Sequence, residues 1–451
     1  MRSGPRQPLA SAQALARCGL GPPRGRGRAW GGPALRPGPV TTLFLPCGQG
    51  VEELLADEVR RITGTAAEQA RGGVWVEGDE LTAMRLNLHS RLAQRVLWPL
   101  IDGPYRDEHD LYDLACHVPW PDLITPEQTL RVDVNAQRSP LRSLNFAALR
   151  IKDAVCDRLR EATGARPSVA QRHADLPLVL FVGPEHATLY MDTSGEALFK
   201  RGWREDTGEA PLKETLAAAM LAAAGWQGRA QDGPLLDPCC GAGTIAIEAA
   251  QLACGMAPGG LRHFAFERML RFRDLAPAWR ALQEEARAAV HAPAVPVFAG
   301  DVSFRMTDFS TRNAERAGVL AAIGFKTGDA LQRPAPAAAG TLMLNPPYGE
   351  RISAKGTGSA GNTDSAAREG FEGGGSSAEF FGGLASHWKR HYPGWTAWLL
   401  SPDMKLPGLM RLKESRRVPM WNGPIECRLF RFDMVAGSNK PEATAPAAPV
   451  T

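Results

Sequence analysis

The second half of the sequence alternates short apolar runs with helical segments, and this order constrains the fold more than any other feature. A predicted helix follows Pro211, and predicted strands come at residues 234–237, 296–300, 324–328, 341–345 and 396–401. Strands separated by helices pair in parallel within one sheet. From Arg416 the pattern predicts a hairpin that turns at Asn422-Gly423. The prediction is an α/β domain with a Rossmann-like, mostly parallel sheet of seven strands.

A glycine loop, Asp237-Pro238-Cys239-Cys240-Gly241-Ala242-Gly243, follows the first of these strands. Glycines permit a tight turn and a close approach of ligand to backbone, and a helix N-terminus comes next. The loop therefore predicts a nucleotide-type pocket. Its Gly241-x-Gly243-x-x-Ala246 pattern also fits an NAD-dependent oxidoreductase. However, the next strand-end acid, Asp301, lies fifty-eight residues past Gly243, whereas the dinucleotide fingerprint places it about twenty residues on.

A second motif, Asn345-Pro346-Pro347-Tyr348, ends the strand at 341–345, where an open parallel sheet forms its ligand crevice. An exocyclic base amine is a poor nucleophile because its lone pair is delocalised into the ring. The Asn345 side-chain oxygen and the Pro346 carbonyl can accept the two amine protons and free that lone pair. Pro347 stiffens the turn, and Tyr348 offers a ring for an extruded base. The motif indicates group transfer to an amine by orientation, although a simple strand terminator is the plainer alternative.

Composition limits the remaining possibilities. The chain has 451 residues, 44% of them hydrophobic and 22% charged, enough for two or three cored domains. It has no apolar run of membrane-spanning length and no secretory signal. Its eight cysteines are scattered, without metal-ligand spacing. We expect a cytoplasmic protein with reduced thiols, no metal and no membrane partner, in which Cys239 and Cys240 are small residues of a turn.

The ends of the chain and one internal segment differ from the rest. Residues 1–40 carry seven Arg and no acid among many Pro and Gly, which predicts a disordered tail. Subtracting those seven charges from the net +4 leaves −3, so overall charge does not indicate nucleic-acid binding. Residues 355–377 are expected to form a flexible insertion, and residues 436–451 a disordered tail.

Residues 41–205 predict a smaller α+β region. Strands are predicted at TTLFLPC, GGVWVEG, TLRVDVNAQ, LVLFVG and HATLYMD. Helices are predicted at GVEELLADEVRRITG, LTAMRLNLHSRLAQRVLWPL and SLNFAALRIKDAVCDRLREATG. In the last helix, the apolar face is expected to comprise Leu144, Ala148, Ile151, Val155 and Leu159.

A local basic cluster lies within this region. Nine Lys or Arg stand between Arg131 and Arg172, against four acids. A solvated helix face explains such a cluster without any function. The functional alternative is a surface that contacts nucleic-acid phosphates.

The order of the two motifs, with Asp301 and Asp329 between them, resembles class I S-adenosylmethionine (SAM)-dependent N-methyltransferases. Four segments are similar to bacterial THUMP-domain methyltransferases: residues 198–226, RHFAFE, NPPYGERI and WNGPIECRLFRF. RSPLRSLNFAALRIKDAV resembles the THUMP RNA-binding module itself. The resemblance covers about residues 41–434, and within the family it is greatest to the enzymes that form N2-methylguanosine in 23S ribosomal RNA.

The resemblance implies SAM as cofactor, with the methionine part on Asp237 and the glycine loop, the ribose on Asp301 and the adenine on Asp329. Lys213 and Glu214 are implied to shape the same pocket. The implied cofactor-binding residues are Lys213, Asp237, Pro238, Gly241, Gly243, Thr244, Asp301, Asp329 and Asn345. The expected catalytic residues are Asn345, Pro346, Pro347 and Tyr348. The expected RNA contacts are Arg138, Arg142, Lys152 and Arg166.

The resulting expectation is a two-part enzyme. A ferredoxin-like plus THUMP region (41–205) binds structured RNA, either 23S rRNA or a precursor ribosomal particle. A methyltransferase domain (206–435) methylates a flipped guanine at N2. Alternatives are a tRNA guanine-N2 methyltransferase, an adenine-N6 methyltransferase, an NAD-dependent oxidoreductase and a non-catalytic RNA-binding assembly factor.

Overall fold

The computed structural model describes residues 40–208, 211–346 and 377–435. These residues build two sheets, one of eight strands from the first half of the chain and one of seven strands from the second. The two expected tails and the expected insertion lie outside the described ranges, apart from their boundary residues. Within those ranges, no helix combines the length and the apolar character needed to cross a bilayer.

The first half forms an α+β layer. Its elements are β1 (Thr41–Pro46), α1 (Glu52–Thr63), β2 (Ala67–Ala70), β3 (Gly73–Gly78), α2 (Glu80–His89), β4 (Leu97–Pro104), α3 (Glu108–Cys116), β5 (Thr129–Ala136), α4 (Leu144–Thr163), β6 (Ser168–Val169), β7 (Leu176–Val182) and β8 (His186–Asp192). The strand order is β2-β3-β1-β4-β8-β7-β5-β6. Strand β4 pairs antiparallel with both β1 and β8, so it joins the two parts of this region into one sheet.

The prediction of one long helix over residues 81–100 is wrong in its second half. Helix α2 ends at His89, and Leu97–Pro104 is strand β4. Pairing with β8 satisfies the backbone of this strand from Leu97 to Pro104, with an irregularity between Pro99 and Ile101. Sheet pairing of this kind involves residues about ninety positions apart, which a local helical pattern does not report.

The amphipathic helix predicted over residues 143–164 is confirmed as α4. The Ser143 side chain accepts a hydrogen bond from the Phe146 nitrogen at its start, and Gly164 ends it in a left-handed conformation. Ile151, Val155 and Leu159 are buried as expected. Leu144 is instead 38% exposed and Ala148 is only partly buried, while the neighbouring Ala147 takes a buried position on the helix.

The second half forms the expected Rossmann-like domain. Its elements are α5 (Glu214–Ala224), β9 (Leu235–Asp237), α6 (Thr244–Ala253), α7 (Ala276–Ala288), β10 (Val297–Ala299), α8 (Phe304–Arg316), β11 (Ile323–Phe325), β12 (Gly340–Leu344), α9 (Ser377–His391), β13 (Trp395–Ser401), α10 (Leu406–Met410), β14 (Arg416–Asn422) and β15 (Ile425–Asp433). The strand order is β11-β10-β9-β12-β13-β15-β14. The first five strands are parallel, whereas β15 runs antiparallel to β13 and β14. The predicted hairpin turns where Asn422 pairs with Ile425.

The two halves are tied together by a buried ionic triad. Glu248 on α6 is fully buried and accepts hydrogen bonds of 3.0 Å from Arg91 and from Arg201. Arg91 follows α2, and Arg201 lies in the segment that links the halves. Because all three charges are buried, removing Glu248 would leave two guanidinium groups buried without their shared counter-charge. The triad therefore fixes α6, which begins at the glycine loop, against the N-terminal region.

Candidate cofactor and catalytic site

Four of the predicted site residues follow four neighbouring strands of the parallel sheet. Asp237 ends β9, Asp301 follows β10, Asp329 follows β11 and Asn345 follows β12 directly. Since β11, β10, β9 and β12 are adjacent in this order, their carboxyl ends form one edge. This is the edge where an open α/β sheet binds its ligand.

The glycine loop between β9 and α6 requires its glycines for backbone reasons. Gly241 and Gly243 have positive φ angles of 50° and 88°, a region that side chains disfavour. A β-carbon on Gly243 would also lie 2.5 Å from the Ser310 hydroxyl oxygen. At Gly241, in contrast, no atom lies within 4 Å of the β-carbon position. The loop is therefore packed on one side and open on the other, which suits a ligand that approaches the backbone.

Asp301 supports this loop from the neighbouring strand. Its Oδ2 accepts a hydrogen bond of 3.1 Å from the Gly241 nitrogen, and its Oδ1 accepts one of 3.0 Å from the Ser303 nitrogen. Burial raises the pKa of this carboxyl. On the next strand, Asp329 accepts a 2.8 Å bond from the Leu331 nitrogen and so shapes the turn after β11.

Asp237 is almost fully buried at the end of the central strand, with 1% of its surface exposed. Its Oδ1 accepts a hydrogen bond of 3.2 Å from the Cys239 nitrogen. Burial raises the pKa of Asp237 to about 8, and the nearby Asp301 adds to the effect. A buried carboxylate with so few donors is suited to a cationic or hydrogen-bond-donating ligand group.

The two adjacent cysteines behave as packing residues. Burial raises the pKa values of the Cys239 and Cys240 thiols, and the charge of Asp301 contributes to both increases. The Cys240 sulfur lies 3.4 Å from the Ser310 hydroxyl. Neutral, buried thiols are poor nucleophiles and poor metal ligands. The seven cysteines within the described ranges form no disulfide, and those ranges contain no cluster of His, Cys, Asp and Glu suited to a metal ion.

Lys213 and Glu214 stand at the start of α5, and their surroundings differ. Glu214 is buried and pairs with Arg204, whose Nε lies 2.7 Å from Glu214 Oε1. Arg204 also donates from Nη2 to Thr244 Oγ1 over 2.6 Å, so Glu214 is linked to the first residue of α6. Lys213 is exposed, and its Nζ lies 5.1 Å from the centre of the Phe199 ring.

Asn345 holds an unsatisfied acceptor. Its Oδ1 is buried and has no hydrogen-bond partner among the described residues. Buried polar atoms are normally paired, so an orphan at a strand end in a ligand crevice points to a missing donor. Pro346 is also buried. The other two expected catalytic residues, Pro347 and Tyr348, lie outside the described residues.

The basic cluster of the first half is mostly compensated by acids. Arg131, Arg150, Lys152, Arg158 and Arg160 form ion pairs with nearby carboxylates, such as Lys152 Nζ with Asp153 Oδ1 at 2.7 Å. Among the expected RNA contacts, Lys152 is thus paired. The other three, Arg138, Arg142 and Arg166, are exposed and form no ion pair with a described residue.

Three residues of this site were not singled out from the sequence. Arg204 links Glu214 to Thr244, Ser310 packs against Gly243, and Arg333 donates to the Ala299 carbonyl at the end of β10 over 2.9 Å. Arg204 lies in the segment KRGWRED, within the residues 198–226 that resemble THUMP-domain methyltransferases, so the resemblance could have pointed to it. No local sequence pattern marks Ser310 or Arg333. Only the folded positions of α8 and of the turn after β11 bring them next to the site.

Comparison with known proteins matches three family models in succession. The RlmL ferredoxin-like domain matches residues 42–97, the THUMP domain matches residues 105–192, and the RMKL-like methyltransferase domain matches residues 201–360. A curated relative from Shewanella baltica (strain OS195), named ribosomal RNA large subunit methyltransferase K/L, is 35% identical over 406 residues. The match covers 89% of this chain and 54% of the relative, so the chain spans about half the length of that protein.

Two solved structures show the same fold over most of the chain. A protein named as a putative methyltransferase, solved in complex with S-adenosylhomocysteine (SAH), has a TM-score of 0.75 and 23% identity, covering 87% of this chain and 98% of its own. A Listeria monocytogenes protein named as a predicted N6-adenine-specific DNA methylase has a TM-score of 0.74 and 25% identity, covering 87% and 96%. The chain therefore combines, in this order, an RlmL ferredoxin-like domain, a THUMP domain and an RMKL-like methyltransferase domain, and it shares the fold of both solved structures.

Proposed function

We propose that this protein uses SAM to methylate the exocyclic N2 amine of a guanine in 23S rRNA. The observation that carries the proposal is the union of a THUMP domain with an RMKL-like methyltransferase domain, in a chain similar over 89% of its length to a ribosomal RNA large subunit methyltransferase K/L. The large ribosomal RNA as substrate comes from that relative. The guanine N2 position comes from the resemblance of residues 198–226 and of NPPYGERI.

The cofactor site is proposed along the carboxyl edge of the parallel sheet. Asp237, Pro238 and the loop from Gly241 to Thr244 would hold the methionine part of SAM, with Lys213 beside it. Asp301 would bind the ribose hydroxyls, and Asp329 the adenine amine. The open side of Gly241 and the poorly solvated carboxylate of Asp237 support this assignment. The bound cofactor supplies a methyl group attached to a positively charged sulfur.

The acceptor is proposed to bind at the turn after β12. The buried, unpaired Oδ1 of Asn345 supports this, because an exocyclic amine offers the donor that this oxygen lacks. The Pro346 carbonyl would accept the second amine hydrogen, and Tyr348 would stack on the base. With both hydrogens engaged, the nitrogen lone pair would leave its conjugation with the ring and be free to accept the methyl group, and the proton lost from the methylated nitrogen would leave along its hydrogen bond to Asn345 or Pro346. Orientation of the two reactants then provides most of the rate enhancement.

RNA is proposed to bind through residues 41–205, with residues 206–435 as the catalytic domain. N2 lies on the Watson-Crick edge, so a paired guanine must be extruded before it reaches Asn345. The exposed Arg138, Arg142 and Arg166 would contact phosphates, and Lys152 would do so in competition with Asp153. Ribosomal RNA is modified where ribosomes are made, so we place the enzyme in the cytoplasm.

The test is mass-spectrometric mapping of methylated nucleosides in rRNA and tRNA from cells that lack the gene. We expect one N2-methylguanosine to disappear from 23S rRNA, to return when the wild-type gene is restored, and to stay absent with Asn345→Ala. Restoration by the Asn345→Ala variant would contradict the proposed mechanism. An unchanged set of 23S rRNA modifications would contradict the proposed substrate.

Adenine-N6 methylation is the second candidate, because one structural neighbour at 25% identity is named as a predicted N6-adenine-specific DNA methylase. The Asn345 turn can orient either amine. The same mapping experiment separates the candidates, since loss of N6-methyladenosine instead of N2-methylguanosine would favour adenine. Loss of N2-methylguanosine from tRNA alone would indicate the tRNA enzyme.

A further inference from the structure

A cavity of about 920 Å³ lies between the THUMP region and the catalytic domain. One wall comes from the first half of the chain, where Arg131 on β5 and Pro177 on β7 line it. The opposite wall comes from the second half, through Leu212, Lys213 and the Arg262 loop after α6. A ligand in this cavity therefore contacts both halves of the molecule at once.

The lining of the cavity is strongly basic. Seven lysine and arginine residues line it, against two glutamates. Five of the seven are compensated by carboxylates, for example Arg268, whose Nε lies 3.3 Å from Asp175. Lys213 and Arg262 are the two that form no ion pair with a described residue. The cavity thus keeps two positive charges outside any ion pair with a described residue, although Glu196 and Asp192 lie near enough to Arg262 to act on its pKa.

The arginines of the lining also hold unused donors. Arg262 donates from Nη1 to the carbonyls of Ala197 and Lys200 and from Nη2 to that of Glu196, yet its Nε is buried without a described partner. Nη1 of Arg204 is in the same situation. Burial lowers the pKa of Arg262 to about 10, so the group remains charged at neutral pH. Positive charge that lies outside any ion pair favours an anionic ligand in this cavity.

An aromatic ring adjoins the free charge. Phe199 lines the cavity, is partly exposed, and lies 5.1 Å from the Lys213 ammonium. Positive groups that follow the phosphates, together with a ring on which bases stack, characterise single-stranded nucleic-acid sites. The volume is within the range of small-ligand pockets, roughly 300–1,000 Å³. The wall also reaches α6, since Arg204 bonds Thr244 beside the glycine loop.

We propose that this cavity holds a single-stranded segment of the RNA substrate, with phosphates on Lys213 and Arg262 and a base against Phe199. The inference rests on the proposed function only for RNA as the partner. It assigns a contact site separate from the exposed Arg138 and Arg142. A strand held here lies beside the catalytic domain, so the cavity would guide an unpaired region of RNA toward the methylation site.

The test measures binding of a fluorescent oligouridine to the full chain by anisotropy, over a range of salt concentrations. We expect Lys213→Gln to weaken affinity roughly tenfold and to reduce the slope of log K against log salt by about 0.7. Phe199→Ala should weaken affinity without changing the slope. Lys213→Arg should retain binding, as should the control Arg60→Gln, which removes an exposed charge outside the cavity.

Two results would overturn the inference. One is wild-type oligouridine affinity in both Lys213→Gln and Phe199→Ala. The other is a loss of SAM affinity in Lys213→Gln with RNA affinity unchanged, which would assign Lys213 to the cofactor alone. Both variants change exposed or partly exposed side chains, so the test does not depend on the carbonyl-bound Arg262. Failure of the proposed function would instead appear in the nucleoside map and leave these binding constants unaffected.

Discussion

The carboxylate of Asp301 holds the backbone of Gly241, with Oδ2 3.1 Å from the amide nitrogen. The acid that would bind the ribose of SAM is thus also a support of the loop that would bind its methionine part. Two neighbouring strands, β9 and β10, are coupled through this bond. The first prediction follows from it.

Asp301→Ala should weaken SAM affinity at least about tenfold, because it removes charged hydrogen bonds to both ligand and loop. Isothermal titration calorimetry with SAM measures the change. Asp308→Ala is the matched control, since Asp308 is an exposed acid on α8 that pairs with Arg312. Equal affinities of the wild type and Asp301→Ala would refute the assignment of the ribose site.

Asn345→Ala should reduce kcat by roughly 100-fold or more, a loss typical of removing one oriented polar group from an active site. SAM affinity should be retained, because Asn345 is assigned chiefly to the amine. The unfolding temperature should not fall, since the deleted Oδ1 has no described partner to lose. Methyl transfer from labelled SAM and thermal unfolding give the two measurements. A variant with normal turnover would exclude the amine-orienting role.

The raised pKa of Asp237 predicts how stability depends on pH. In the folded state without cofactor this carboxyl keeps its proton up to about pH 8, whereas the unfolded chain releases it near pH 4. The folded state therefore binds more protons between these values, and the free energy of unfolding falls as pH rises from about 4 to 8. Above pH 8 the penalty is constant, at most about 6 kcal/mol.

Asp237→Asn removes the titrating group and serves as the comparison. Urea unfolding at several pH values should show the wild type losing stability relative to Asp237→Asn as pH rises. Parallel pH profiles for the two proteins would show that Asp237 titrates normally.

Glu248→Ala should lower the free energy of unfolding by about 3–5 kcal/mol, because it leaves Arg91 and Arg201 buried without their counter-charge. Urea denaturation measures the loss. Glu284→Ala, which removes an exposed acid of α7, should change stability by less than about 0.5 kcal/mol. Similar values for both variants would show that the triad does not tie the halves together.

The ion pairs of the basic cluster predict unequal contributions to RNA binding. Arg142→Gln should weaken binding to rRNA fragments more than Lys152→Gln does, because Lys152 is already compensated by Asp153. Filter binding at low and high salt measures both effects. If neither substitution alters RNA affinity, the cluster is only a solvated helix face.

Much of the catalytic domain could be predicted from the sequence. The strand–helix alternation, the glycine loop and the Asn422-Gly423 turn are local patterns. They correctly predicted the parallel sheet, the turn between β9 and α6 and the hairpin of β14 and β15. The strand-end positions of Asp237, Asp301, Asp329 and Asn345 were also predicted locally, whereas the binding roles expected for Asp301 and Asp329 came from the family resemblance. Hydrophobic period and turn chemistry involve residues close in the chain, so they are readable without the fold.

The relations between distant residues came only from the tertiary structure. Strand β4 was predicted as helix because its partners in β1 and β8 lie far away in sequence. The ionic triad of Arg91, Arg201 and Glu248 joins positions up to 157 residues apart. Ion pairs with nearby carboxylates compensate most of the lysines and arginines in the basic cluster. The cavity beside Lys213 exists only because the two halves fold against each other. The sequence by itself determined the elements that local patterns specify. Burial, charge compensation and the strand β4 depend on neighbours that are distant in the chain, so only the tertiary structure decided them.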